Sequence, residues 1–385
     1  MRSKILVFTT IALLSLVLAL GGCATDSSTP TQGEESSAPE DGADSTPEAS
    51  ETQPIKWDLQ TPWPVGFQPH QECDAALQKI NAASGGRLEM TLHPGGAIVP
   101  TNEILDAVNS GALAGEVSGI STQFGKFATA MFFDKYPAGP NAYEMYVWLY
   151  EAGGMDLWQE LYDRNNINVH VVGVIGASQA ESFGWFDEPV TSLDDFQGLK
   201  FRTQGTWGDV LTSLGASVVT IPGGEVYESA QRGVIDAFEF ATPAVDLSAG
   251  FWEIKPVLME PGIHAPTCIY DVIVNQDEWN ALPNDLKLIL ELGCQAGASS
   301  VLTATDYDDM LAFKELEEKG IDIHQLPDNV IEEIVRVSNE MWDEMAADDP
   351  FFAEVLESQR DFLRNFRAMQ DLKEPKGADL TWPQQ

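Results

Sequence analysis

Between residues 198 and 240 the apolar pattern switches back and forth between the periods of strand and helix. "GLKFRTQG" (198–205) reads as a short strand entering a glycine turn. "TWGDVLTSLGASVVTI" (206–221) reads as a helix and then a strand, and "GGEVYESAQRGVIDAFEF" (223–240) as another helix and strand. Strands linked by helices over so few residues run parallel, with right-handed crossovers. Ligands of such units bind beyond the C-terminal ends of the strands. Arg202 and Glu239 both fall near those ends, which makes them candidate site residues.

The same alternation extends outward. Strand patterns occupy 55–64, 87–96 and 168–176, and helical patterns occupy 69–86 and 101–119. A helical pattern from Pro283 to Lys319 is too long for an ordinary globular helix, and Gly293 and Gly297 are candidate kinks. Two more helices are predicted at 329–348 and 351–369. The class is therefore α/β, and the stretch from 54 to 385 is long enough for two domains.

The first residues, "MRSKILVFTTIALLSLVLALGGC", carry Arg2 and Lys4 ahead of an apolar run that closes on Gly21-Gly22-Cys23. This is the pattern of a lipoprotein signal peptide over 1–23, with Cys23 the acylated residue. Residues 24–53 are rich in Ser, Thr, Pro and acid and have no basic residue, so they are expected to be a disordered acidic linker. The chain has 60 acidic against 21 basic residues, a net charge of −39. That sign argues against nucleic acid as a partner.

With Cys23 assigned to lipid, Cys73, Cys268 and Cys294 leave room for one intramolecular bridge at most, and buried free thiols are the simpler expectation. No phosphate loop, dinucleotide fingerprint, zinc-protease motif or nucleophile elbow is present. His70, His93, His170, His264 and His324 have no paired ligand spacing. The balance moves from enzyme toward binding protein.

Several stretches together resemble the extracytoplasmic solute-binding subunits of TRAP (tripartite ATP-independent periplasmic) transporters, in the subgroup that takes 2-oxo or 2-hydroxy monocarboxylates. They are "LHPGGAIVPTNEILDAVNSGAL" (92–113), "GWF" (184–186), "GLKFRTQG", "LGASVVTIPGGEVYESAQRGVIDAFEF" (214–240) and "NALPNDLKLILE" (280–291). The resemblance covers 55–320. It implies a two-lobed periplasmic-binding-protein-like fold around a ligand cleft, with long connecting strands and a long kinked helix. The lobes are expected at 54–178 with 267–306, and at 179–266 with 307–385, the C-terminal helices belonging to the second. A homodimer through helix 284–319, TRAP membrane permease subunits as partners and an extracytoplasmic, lipid-anchored location are further implications.

The resemblance also assigns roles. Arg202 would clamp the substrate carboxylate, a planar fork of donors meeting a planar acceptor; the alternative is a structural ion pair with an acid such as Asp236. Glu181, four residues before Trp185, would hold a metal ion beside the substrate with Glu239 and the backbone carbonyl of Phe240. Many relatives carry a neutral Gln in place of Glu181 and a Trp in place of Phe240. Asp271 in "CIYDVIVN" is a third candidate carboxylate. Two or three carboxylates favour Ca²⁺ over Na⁺. Trp63 and Phe124 are candidates for the apolar wall, with plain core as the alternative, and Trp185 is expected to pack the hinge. Two other readings stay open: a carboxylate sensor on the same fold, and a hydrolase using Glu181 and Glu239 as an acid/base pair.

Overall fold

The computed structural model describes residues 53–373. The signal peptide, Cys23 and the linker lie outside the described residues. In chain order the strands are β1 (Ile55–Gln60), β2 (Leu88–His93), β3 (Gly115–Ser118), β4 (Val169–Ser178), β5 (Gly184–Phe186), β6 (Lys200–Arg202), β7 (Ser217–Val219), β8 (Ala237–Phe238), β9 (Val257–Glu260), β10 (Cys268–Asn275) and β11 (Asp322–Gln325). They form two mixed sheets, of order β2-β1-β3-β10-β4 and β11-β9-β5-β8-β6-β7. Around them lie α1 (Gln68–Ala83), α2 (Ile104–Asn109), α3 (Ala142–Glu151), α4 (Gly154–Arg164), α5 (Trp207–Ser213), α6 (Val226–Gln231), α7 (Pro243–Ser248), α8 (Gln276–Ala281), α9 (Asn284–Glu318), α10 (Asp328–Asp348) and α11 (Pro350–Lys373).

The 198–240 unit folds as its periodicity predicts. β6 pairs in parallel with both β7 and β8, and α5 and α6 are the crossovers. Arg202 is the last residue of β6, and Glu239 follows directly after β8. Helix expected across 101–119 is realised only over α2. Residues Gly115–Ser118 are instead β3, buried at every position, so they show none of the alternation that marks a half-exposed strand.

The chain passes between the sheets at two neighbouring crossings. β4 leaves the first sheet at Ser178 and β5 enters the second at Gly184. β9 leaves the second at Glu260 and β10 enters the first at Cys268. The two crossings are stitched where the Glu181 amide donates to the Ala265 carbonyl at 3.0 Å. They lie so close that a Cβ on Gly262 would stand 1.7 Å from the Glu181 carbonyl oxygen.

Helix α9 bridges both halves. Leu286, Leu290, Cys294 and Val301 join the core beneath β1, β2 and β10, while Leu316 joins Trp185 and Phe238 under the second sheet. The helix runs unbroken through Gly293 and Gly297. These glycines allow close approach: a Cβ on Gly293 would come 2.4 Å from Ile80, and one on Gly297 would come 2.8 Å from the Ile175 carbonyl.

The two C-terminal helices join different cores. Val330, Ile334 and Val337 of α10 enter the core around Phe183 and Phe201. Trp342, near its other end, and Phe351, Phe352, Val355 and Leu356 of α11 enter the core of the first half with Phe132 and Trp148. A helix's apolar stripe tells which face is buried but not which partner receives it. Cys73, Cys268 and Cys294 are buried free thiols.

Candidate functional site

A cleft of about 740 Å³ opens where the two crossings and the C-terminal ends of β6 and β8 converge. Arg202 projects into it from the end of β6 and is 5% exposed. Its Nε donates to the Ile221 carbonyl at 3.0 Å. Its Nη1 donates to the Glu239 carbonyl at 3.0 Å and to Glu239 Oε1 at 3.4 Å. Asp236 is not its partner, because that carboxylate accepts from the Lys200 amide at 3.0 Å. The guanidinium is thus held by two strands' worth of backbone and by a carboxylate that is itself buried.

Glu181 is no solvated loop acid. It stands on the first crossing, buried, with three side chains on its carboxylate. Lys135 forms an ion pair with Oε1, the Cys268 thiol donates to Oε1 at 3.1 Å, and His264 Nε2 lies 3.3 Å from Oε2. Burial alone would raise the pKa of Glu181, but Lys135 and then His264 outweigh it and hold the carboxyl well below the usual range. Burial likewise works against the charge on Lys135, and Cys268, Glu181 and Asp134 more than reverse it, leaving the ammonium firmly protonated. His264 comes from the second crossing, and its ring stacks on Trp207 at 5.5 Å between centroids.

Glu181, Glu239 and His264 each offer a ligand atom, and these atoms lie within 4.8 Å of one another. All three residues are buried. Atoms around one ion, each 2.0–2.5 Å from it, fall about this far apart. Two carboxylates and an imidazole therefore fit a metal ion. When bound, such an ion would polarise and neutralise an anionic ligand's oxygens.

Phe240 lines the cleft with its ring set edge-on to Phe251 at 5.0 Å. Trp63 and Phe124 also line it, each half-buried, and Trp63 meets Tyr270 edge to face at 5.1 Å. Trp185 is fully buried and donates its Nε1 to Asp246 at 2.8 Å, a structural position.

Asp271 is not brought to the cluster. Cys268 and Tyr270 line the cleft, and Asp271, the next residue of β10, turns into the core beside Glu116 and Asp134. Burial, then those two carboxyls, push its pKa well up, and its Oδ1 makes no hydrogen bond among the described residues. Asp271 offers no ligand atom to the group of Glu181, Glu239 and His264.

Among the cleft residues that the sequence reading passes over are Lys135, His264, Trp207 and Tyr270. A signal existed for the first. "FFDKYP" (132–137) puts a lysine behind a buried aromatic run, in a chain with few bases to spare. His264 in "PGIHAP" gives none, since its partner Glu181 is 83 residues away.

The family described as bacterial extracellular solute-binding protein, family 7, matches residues 62–349. A monocarboxylate 2-oxoacid-binding periplasmic protein of Nostoc is 28% identical over 320 residues, 83% of this chain and 87% of that protein. Among solved structures, a TRAP periplasmic solute-binding protein from Colwellia psychrerythraea, with bound calcium and pyruvate, is 31% identical with a TM-score of 0.77. The alignment covers 83% of this chain and 97% of that one. Its counterpart from Pseudoalteromonas atlantica, with bound sodium and pyruvate, is 29% identical with a TM-score of 0.76 over the same shares. The two sheets with a cleft between them are the two-lobed fold of these proteins, and the chain belongs to family 7 of the bacterial extracellular solute-binding proteins, the solute-binding subunits of TRAP transporters.

Proposed function

We propose that the chain binds a small 2-oxo or 2-hydroxy monocarboxylate together with a metal ion and hands it to TRAP membrane permease subunits. The observation that carries this is the convergence, in one cleft, of a buried arginine and a carboxylate–imidazole cluster. Arg202 takes the ligand carboxylate. Glu181, Glu239 and the Phe240 carbonyl hold the metal, and His264 joins them. Trp63 and Phe124 cover the acid's alkyl end, which needs apolar surface. Two carboxylate ligands give Ca²⁺ the advantage over Na⁺. The pyruvate bound by the two structural relatives, once with calcium and once with sodium, supports the ligand class.

A hydrolytic use of the pair is disfavoured. A general acid needs a raised pKa, and Glu181 is held low while Glu239 is committed to Arg202. The role is binding without catalysis.

The protein works outside the cytoplasm, tethered through Cys23 after removal of the signal peptide, with 24–53 as the linker. No helix among the described residues is long and apolar enough to cross a membrane. The lobes divide at the two crossings, with α11 returned to the first. Leu288, Leu292, Tyr307, Met310 and Leu311 are exposed along α9, an apolar surface suited to a second copy of the chain.

Calorimetric titration of the purified protein with pyruvate, lactate and 2-oxobutyrate, each with Ca²⁺, with Na⁺ and after chelation, tests this reading. Binding of one acid that strengthens with Ca²⁺ is expected. No heat with any of these acids in any condition would overturn it.

A further inference from the structure

The two candidate carboxylate ligands are each matched by a cation built into the chain. Glu239 faces Arg202, and Glu181 faces Lys135. The two pairs differ in how firmly the cation is fixed. Arg202 is 6% exposed along its side chain and bonded to two backbone carbonyls. The Lys135 side chain is 33% exposed, while its Glu181 partner is 6% exposed. Glu181 is pinned from several sides, by His264, by Cys268 and through its own amide. The backbone beside Lys135 is also pinned, because Asp134 Oδ1 accepts from the Ile269 amide at 2.7 Å and Oδ2 accepts from Ser121. What can move is the lysine's flexible chain.

A metal ion bridging Glu181, Glu239 and His264 would take a carboxylate oxygen beside the Lys135 ammonium. Any ion there meets that positive charge at close range. Coulomb repulsion grows in proportion to the ion's valence. A free-energy term proportional to valence becomes a power in the binding constant.

We propose that Lys135 is a specificity-determining residue that tunes the metal site by valence: its ammonium and the metal are rival counter-ions of Glu181, and it penalises a divalent ion twice as much as a monovalent one. The inference rests on the metal reading above and deepens it. Two carboxylates favour Ca²⁺, and Lys135 compresses that preference. With Lys135 in place the two carboxylates are already balanced by two cations. A monovalent ion with a monocarboxylate then keeps this group of two ion pairs neutral, and a divalent ion with the same acid leaves it positive. Removing the lysine charge reverses which pair is neutral.

The test compares Lys135→Met with the wild-type protein, measuring Ca²⁺ and Na⁺ affinities without acid at ionic strength held constant with choline chloride. Both ions are expected to bind the variant more tightly. If Na⁺ gains 5-fold, Ca²⁺ gains about 25-fold, the square. Lys135→Arg, which keeps the charge, is expected to stay near wild type. Should Lys135→Met fold poorly, Lys135→Gln serves, since its amide can donate to Glu181 without charge. Equal gains for the two ions, or no gain, would overturn the proposal while wild-type ion binding leaves the metal reading standing. Absence of ion binding in the wild type and in every variant would overturn both.

Discussion

Replacing Arg202 by alanine strikes binding and folding together, and a second substitution at Glu239 separates the two effects. The guanidinium would give an acid's carboxylate two charge-assisted hydrogen bonds, each worth about 1.5–3 kcal/mol. Losing both costs about 3–6 kcal/mol, a loss of roughly 10²–10⁴ in affinity. The same substitution strips Glu239 of its cation. That side chain is 9% exposed, and an uncompensated buried charge costs about 3–5 kcal/mol of stability. Arg202→Ala should therefore bind poorly and melt early. Adding Glu239→Gln removes the orphaned charge, so the double variant should recover much of the stability and none of the acid binding. Calorimetry with pyruvate at saturating metal reads the first effect, and urea unfolding reads the second. Wild-type affinity in Arg202→Ala, or recovery of acid binding in the double variant, would refute the clamp. Equal stability of the single and double variants would refute the electrostatic account of Glu239.

Three further outcomes are expected. Gly262→Ala should force the two crossings apart, lowering stability by about 1–3 kcal/mol and weakening ion binding together, whereas Gly224→Ala, with open space around it in the same cleft, should change neither in the same melts and titrations. Glu116 is buried, and burial raises its pKa from 4.5 to about 7. Its folded form therefore holds a proton that the unfolded chain releases, and stability should fall by about 3 kcal/mol between pH 4.5 and 7. Glu116→Gln should flatten that fall in urea midpoints taken across the range. Leu288→Glu with Leu292→Glu should convert a dimer to monomer by light scattering, and a wild-type monomer would remove α9 as an interface.

The strand–helix alternation from 198 to 240 was legible because everything that shapes it is local. Apolar period, a glycine turn and a short crossover decide each element within a dozen residues. β3 and β10 were not legible for the opposite reason. β10 is buried along its whole length between β3 and β4, antiparallel to both, and its partners are about 100 to 150 residues away in the chain. A strand buried on both faces has no alternation to read. The side on which α11 packs was hidden likewise, since an amphipathic stripe specifies a depth of burial and no address.

At the site, Arg202 and Glu239 were legible because the ends of parallel strands are where such folds gather ligands. Asp271, a candidate ligand from its strand, lies buried beside Glu116 and Asp134, and a strand buried on both faces does not show in sequence which of its residues reach a cleft. His264 meets Glu181 only because the two crossings come together in space, and nothing in its own neighbourhood announces that, while Lys135 reaches Glu181 from a third segment, beside the buried aromatic run at 132–133.

Net charge was the least informative guide of all to the cleft. A chain at −39 would repel an anion if its charges acted together. They do not, because salt screens exposed charges beyond about 8–10 Å. Inside the cleft the charges are few, close and poorly screened. At the candidate metal cluster two carboxylates stand against one guanidinium and one ammonium. The first excess of positive charge in such a balanced group is whatever ion arrives. On the proposal made above, an acidic protein holds an acid through a borrowed cation, and Lys135, beside that cation's place, acts on it at close range where the surface acids are screened.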